Sequence, residues 1–407
     1  MDTELEDADL QPRVHPLKLF DLAASQQRYL YACAPMVRYS KLAFRQTVHH
    51  FGTDLCWTPM ILAKEFNRSA VARDSDLTIS TSTTTSSIPE PPTIAQFGSN
   101  SPAELARAAS LAAPAVNGVD LNCGCPQSWA CAETLGAALM ERRELVRDMV
   151  VAARSRLASD GWAVGLEASK EEPRKGRSVS VKIRVHRDLR RTMDFITTVL
   201  GEGGSGEGTG GRNIDWLTIH PRTRSTPSST PIDMEALEVL TETFGDRVPI
   251  LVSGDVFTLA SLPYTSHLLS PQPTFTTSSS SNNTNNNSSS SPAEPLPTGQ
   301  PLRHLPKLRG LMSARALLAN PALFAGHETC PWAAVDVFMS RAARAPLPLK
   351  LAVHHLSEMC GPGFGPDRSA LLGKRDRVRL NELGNWVDVV DFMDEVRGER
   401  GGVVRLA

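Results

Sequence analysis

Eight short apolar runs punctuate the chain: YLYACAPM, FGTDLCWTPM, TIAQFG, GVDLNCGCP, SVSVKIRV, DWLTIHPRT, VPILVSGD and RGLMSAR. Most are continuously apolar, the pattern of strands buried on both faces of a parallel sheet. Between them lie stretches whose apolar residues recur at helical spacing: YSKLAFRQTVHHF, PAELARAASLAAPA, AETLGAALMERRELVRDMVVAARSRLA, RRTMDFITTVL and MEALEVLTETF. Strands alternating with helices predict an α/β fold with a parallel sheet. Eight such units within 407 residues predict a (β/α)8 TIM barrel. We expect the barrel over residues 29–330, an N-terminal tail over 1–28, and a small helical domain over 331–407. The seventh helix should fall between Phe257 and Leu308, where the sequence reads poorly as a helix.

Four segments look like insertions. Ser75–Pro92 opens as a short strand and dissolves into Ser, Thr and Pro; 201–211 is Gly-rich; 224–231 is a short polar loop; 270–301 is a Ser/Asn tract. These are too poor in apolar residues to bury a core of their own, and none carries chemistry.

Composition narrows the class. The net charge is −1, so a polyanionic partner must be held by local basic patches. The runs RKGRSVSVKIRVHRDLRR and GKRDRVRL are the candidates, though such runs are as readily solvated faces. Seven cysteines without framework spacing suggest reduced thiols. The start, MDTELEDADLQPRVHPL, resembles neither a secretory signal nor a mitochondrial presequence. No apolar run approaches the roughly 20 residues of a membrane helix. The expectation is a monomer in the cytoplasm or nucleus, with no membrane partner.

In a barrel, active sites gather at the C-terminal strand ends. Here those ends read Pro35-Met36, Pro59-Met60, Gln96, Asn122 to Pro126, Lys182 to Arg184, His220 to Arg222, Ser253 to Asp255 and Ser313 to Arg315. Cys123 and Cys125 are small buried hydrophobes, metal ligands or an acid on a strand-end loop. The C-x-C pair lacks a second ligand pair at zinc spacing, so no metal is expected. Pro126 keeps the residue before it extended, which makes Cys125 the better candidate to face the mouth. Lys182 sits mid-strand in an apolar run. It either faces outward or needs an electron-rich partner inside, because an unpaired buried ammonium is costly. Arg184 shares its face, and His220 ends the next strand. Gly254 and the Ser313–Arg315 turn suit a phosphate near the last two strands. Together these suggest flavin mononucleotide (FMN) lying across the mouth.

At these residues the chain resembles the tRNA-dihydrouridine synthases, in the eukaryotic subfamily acting on D-loop positions 20a and 20b. The resemblance rests on APMVRYSKLAFR, DLCWTPMI, QFG, VDLNCGCPQSWA, VSVKIRVHRDLRRT, TIHPRT and ARALLANPALFAG, spanning roughly Tyr29 to Gly326. It implies that Pro35, Met36 and Val37 pass over the flavin, that Gln96 contacts it, and that Lys182 sits beneath its pyrimidine edge. It further implies that His220, Ser253, Gly254, Asp255, Ala314 and Arg315 hold ring and phosphate, and that Asn122 and Arg184 address the uracil. Cys125 is implied as the proton donor, with Cys123 a packed neighbour. The implied reaction has two halves, NADPH to flavin and then hydride to C6 of uracil, with Cys125 protonating C5. The family's Asn-Gly-Asp turn appears here as Ser253-Gly254-Asp255, and its Ala-Arg-Gly as Ala314-Arg315-Ala316. Residues 347–407 match weakly. Two other readings stand beside this one: a flavin barrel acting on a small molecule, and a non-catalytic tRNA-binding relic.

Overall fold

The computed structural model describes residues 14–77, 91–164, 175–201, 212–266 and 302–398. The three insertion cores at 78–90, 202–211 and 267–301 lie outside them. Eight strands form the barrel: β1 Leu30–Cys33, β2 Leu55–Trp57, β3 Thr93–Gly98, β4 Gly118–Cys123, β5 Ser178–Arg184, β6 Trp216–His220, β7 Ile250–Ser253 and β8 Leu308–Ser313. Each pairs in parallel with its neighbours, and the β1–β8 and β2–β3 pairings close the sheet. Closure leaves no free edge and makes the eight C-terminal ends one rim.

The pleat sorts side chains. In β4, Val119, Leu121 and Cys123 point outward into the core shared with the helices. Asp120 and Asn122 point inward. The lower interior is filled by Leu30, Ala32, Leu55, Ile94, Leu251 and Met312, with Trp57 and Trp216 edge to face at 6.2 Å. A helix at Pro16–Ser25 covers this end. Its Leu17, Phe20 and Ala23 join the interior cluster, and Phe20 lies 5.9 Å from the Trp216 ring. Expected in an N-terminal tail, these residues are instead the floor of the barrel.

Two other expectations are corrected. The strand-like opening of the 75–92 segment is helical as far as Leu77, the end of the helix Ala70–Leu77, and its remainder lies outside the described residues. The long pattern ending in the helix Arg143–Ser159 is interrupted by a 3-10 turn at Gly136–Glu141. Between β7 and β8 no helix occurs among the described residues. Instead Tyr264–Thr265 pairs with Arg303–His304. No helix among the described residues is long and apolar enough to cross a membrane.

After β8 come the helices Trp332–Arg344, Leu349–Met359, Lys374–Asn381 and Trp386–Gly398. They share the outer core with the barrel helix Leu42–His50. His355 wedges between Phe44 at 5.1 Å and Phe338 at 4.9 Å. Burial pushes its pKa down to about 3, so it packs as a neutral ring.

Candidate active site

A cavity of about 280 Å³ opens at the C-terminal rim. Pro35, Val37, Gln96, Asn122, Cys125, Lys182, Arg184, His220, Ser253, Gly254, Asp255, Ala314 and Arg315 all line it. Met36 does not. Its N–H donates to the Ser40 hydroxyl at 3.0 Å and its side chain packs on the outer core. The register explains the convergence. Asn122 lies opposite Lys182, Lys182 opposite Thr218, and Arg184 opposite His220.

Under the cavity runs a polar layer. Asp120 is buried, and its carboxylate accepts from Gln96 Nε2 at 2.8 Å and from the Ser180 hydroxyl at 2.7 Å. Burial pushes its pKa up to about 6, against the opposing pull of those donors and of Lys182. Asn122 Nδ2 donates to Gln96 Oε1 at 2.7 Å, and Asn122 Oδ1 accepts from the Gly124 and Cys125 N–H groups at 2.9 Å each. The Cys125 carbonyl accepts from Ala137 N–H at 2.8 Å. Arg184 Nε donates to the Gly124 carbonyl at 2.8 Å and Nη1 to the Thr223 carbonyl at 2.7 Å. The cysteine loop is thus tied from below and from the side. Cys123, the residue after the inward-facing Asn122 on the strand, is fully buried on the outer face, and burial raises its thiol pKa well above the usual value.

The Lys182 ammonium, half-buried in the cavity wall, makes no hydrogen bond to the described residues. Burial and the neighbouring Arg184 bring its pKa down to about 8, opposed by Asp120 and Cys125. On the far side Arg222 organises the last strands. It donates to His220 Nε2 at 3.0 Å, to Asp255 at 2.5 Å and to the Thr230 carbonyl at 2.6 Å. A guanidinium only donates, so His220 accepts at Nε2 and carries its proton on Nδ1. Burial and the surrounding cations push the His220 pKa down to about 2. The second Asp255 oxygen accepts from Ile232 N–H at 2.7 Å. Gly254 has φ +119°, and a Cβ there would meet Ile232 at 2.9 Å and His220 and Arg222 at 3.1 Å. Only glycine fits that turn.

Asp120 and Arg222 were missing from the site residues proposed from sequence. Asp120 carried a signal, because it sits two residues from the inward-facing Asn122 on one strand and so shares its face; Arg222 lies beyond the end of its strand, where that rule does not reach.

A larger, shallower groove of about 810 Å³ adjoins the cavity and shares Arg184 with it. Arg187, Arg191 and Arg224 are exposed on its walls. Arg191 pairs with Glu141. The basic runs therefore divide. Arg177 is buried, stacks on Trp162 at 4.0 Å and donates to the Ala113 carbonyl, a structural role. Arg379 pairs with Glu395 at 2.6 Å, whereas Lys374 and Arg375 are exposed.

Residues 32–266 match the family model described as dihydrouridine synthase. A human "tRNA-dihydrouridine(20a/20b) synthase [NAD(P)+]-like" protein is 31% identical over 366 residues, covering 90% of each chain. The Schizosaccharomyces pombe "tRNA-dihydrouridine(20a/20b) synthase [NAD(P)+]" is 31% identical over 380 residues, covering 93% of this chain and 91% of its own. The Saccharomyces cerevisiae protein of that name is 30% identical over 363 residues, covering 89% of this chain and 78% of its own. With the barrel, the cysteine loop and the lysine strand, these likenesses establish that the chain belongs to the dihydrouridine synthase family.

Proposed function

We propose that this protein reduces uridine to 5,6-dihydrouridine in the D-loop of tRNA, at positions 20a and 20b, using FMN and NADPH. The observation that carries the reading is the placement of Cys125. Its loop is pinned at the rim by Asn122 and Arg184, over a cavity whose wall holds the Lys182 ammonium.

The cavity suits a flavin on two counts. Lys182 has no hydrogen-bond partner among the described residues, and a half-buried ammonium is relieved by an electron-rich edge. Gly254 and Arg315 both line the cavity, where backbone N–H groups and a guanidinium suit a phosphate. When bound, the flavin supplies the hydride for C6 of the uracil.

The chain's own residues do the rest. Lys182 would hold an electron-rich edge of the flavin, and neutral His220, fixed by Arg222, would offer it the Nδ1 proton. Asn122 spends Oδ1 on the loop and one N–H on Gln96, leaving the other N–H for the uracil. Cys125 gives its proton to C5, and the thiolate recovers one from solvent. The uridine must leave its stack to reach the cavity, at a cost of a few kcal/mol. Contacts of Arg187 and Arg224 with the RNA backbone offset that cost.

The purified protein should carry flavin absorbance, and with NADPH it should convert 20a and 20b of unmodified tRNA, read by dihydrouridine mapping. Bound flavin with no change in tRNA would point to a small-molecule reductase instead.

A further inference from the structure

We propose that Asp120 is a positioning residue for Cys125: its carboxylate sets the direction of the hydrogen-bonded chain through Gln96 and Asn122, and so holds the 124–125 amides and the thiol in place. The consequence for turnover rests on the proposed role of Cys125 as the acid. The consequence for the loop does not.

A primary amide side chain can flip, exchanging its oxygen for its NH2 at little change in shape. Two flippable amides in series, Gln96 and Asn122, stand between the barrel interior and the cysteine loop. An ionised carboxylate only accepts hydrogen bonds, and a backbone N–H only donates. Asp120 at the base therefore requires Gln96 to present Nε2, at 2.8 Å. Gln96 Oε1 is then left for Asn122, which must present Nδ2, at 2.7 Å. Asn122 Oδ1 is left for the Gly124 and Cys125 N–H groups, at 2.9 Å each. Reversing either amide would set donor against donor or acceptor against acceptor in a buried site, where an unmade hydrogen bond is costly. Asp120 is held in turn by the Ser180 hydroxyl at 2.7 Å and is 1% exposed, so solvent does not compete for it.

The chain has an acceptor at its base and donors at its top, which makes one exchange informative. Asn122→Asp still accepts from the two loop N–H groups but leaves Gln96 facing a carboxylate at each end. Asp120→Asn alone weakens the base, because the new amide can turn either its oxygen or its NH2 to Gln96, and turning NH2 to the Ser180 hydroxyl leaves that buried O–H without its acceptor. In the double variant Asp120→Asn/Asn122→Asp, Gln96 reverses. The amide introduced at the base donates to Gln96 Oε1, Gln96 Nε2 donates to the new carboxylate, and the loop N–H groups keep an acceptor.

The test is hydrogen exchange of the Gly124 and Cys125 amides in the full-length protein, alongside melting temperature, flavin retention and single-turnover oxidation by tRNA. Asn122→Asp should expose both amides by at least about tenfold, the equivalent of one lost hydrogen bond, and slow the tRNA step more than flavin reduction by NADPH. Asp120→Asn should lose protection by at least about threefold, full protection there counting against the proposal, and the double variant should recover protection by about tenfold over Asn122→Asp. Recovery of loop protection in a protein that does not act on tRNA would support the positioning and count against the proposed function alone. A double variant no better than Asn122→Asp in folding, protection and rate overturns the proposal, as does an Asn122→Asp variant with unchanged protection.

Discussion

Gly136 packs against Cys125 so closely that a Cβ at Gly136 would sit 2.5 Å from the Cys125 carbonyl oxygen and 2.8 Å from its Cβ. Gly136 also has φ +59°, a left-handed conformation that L side chains rarely adopt. The two residues meet because Leu135–Ala137 doubles back beneath the cysteine loop, where Ala137 N–H binds the Cys125 carbonyl.

Gly136→Ala should therefore cost about 1–3 kcal/mol of stability and shift the thiol. We expect flavin retention near wild type and a tRNA-dependent oxidation slowed by about tenfold or more. Parallel flavin spectra and single-turnover kinetics check this. Unchanged oxidation would mean the loop tolerates displacement.

Lys182 should show a conflict between stability and binding. Its folded pKa, about 8, lies below the ordinary 10.5. A depressed folded pKa gives stability that is present above 10.5 and is lost as pH falls through 8, so at pH 7 the apoprotein bears the whole cost. Lys182→Met should raise apoprotein stability at pH 7 by about 1–3 kcal/mol and by less at pH 10, and should lose flavin. Denaturant midpoints at the two pH values, with flavin titration, read both effects.

Arg222 joins His220 to Asp255, and the Asp255 side chain is only 13% exposed. Arg222→Met strands that carboxylate and should cost about 3–5 kcal/mol, with loss of flavin. His220 adds a pH dependence. Its folded pKa of about 2 lies below the ordinary 6.5, so the stability it contributes is present above 6.5 and is lost as pH falls toward 2. Stability should drop between pH 6.5 and 5 by up to about 1.4 kcal/mol per pH unit from this group, and His220→Asn should flatten that part of the curve.

The eight strands and their rim were legible because buried parallel strands leave continuous apolar runs that need no partner to be recognised. Pro126, which keeps Cys125 extended in the loop beyond the strand, also marked it off from Cys123. The floor helix was not legible. Its Leu17, Phe20 and Ala23 make a sparse stripe, and the aromatic partners Trp57 and Trp216 lie far along the chain. Asp120 looked like a polar break in an apolar strand, since its meaning depends on Gln96 and Ser180 in neighbouring strands. Arg222 follows its strand end, and sequence does not say that the turn folds back on Asp255.

The floor helix supplies a separate prediction. Phe20→Ala removes a ring packed on Trp216 at 5.9 Å and should destabilise the fold by about 3–5 kcal/mol. Flavin affinity and turnover, measured well below the melting temperature, should stay near wild type, because the helix closes the opposite end from the site.

The central claim is that Cys125 is the acid and Cys123 a packed neighbour, and single-turnover oxidation of reduced enzyme by unmodified tRNA tests it most directly. Cys125→Ala should bind flavin and tRNA and accept electrons from NADPH, then fail to oxidise, because hydride at C6 without a proton for C5 leaves an unfavourable enolate. General-acid catalysis is worth roughly 10²–10⁴-fold, and the loss should lie in that range. Cys123→Ala should lose about 1 kcal/mol or less of stability and oxidise at the wild-type rate. Oxidation abolished by Cys123→Ala but not by Cys125→Ala, or unaffected by either, contradicts the account.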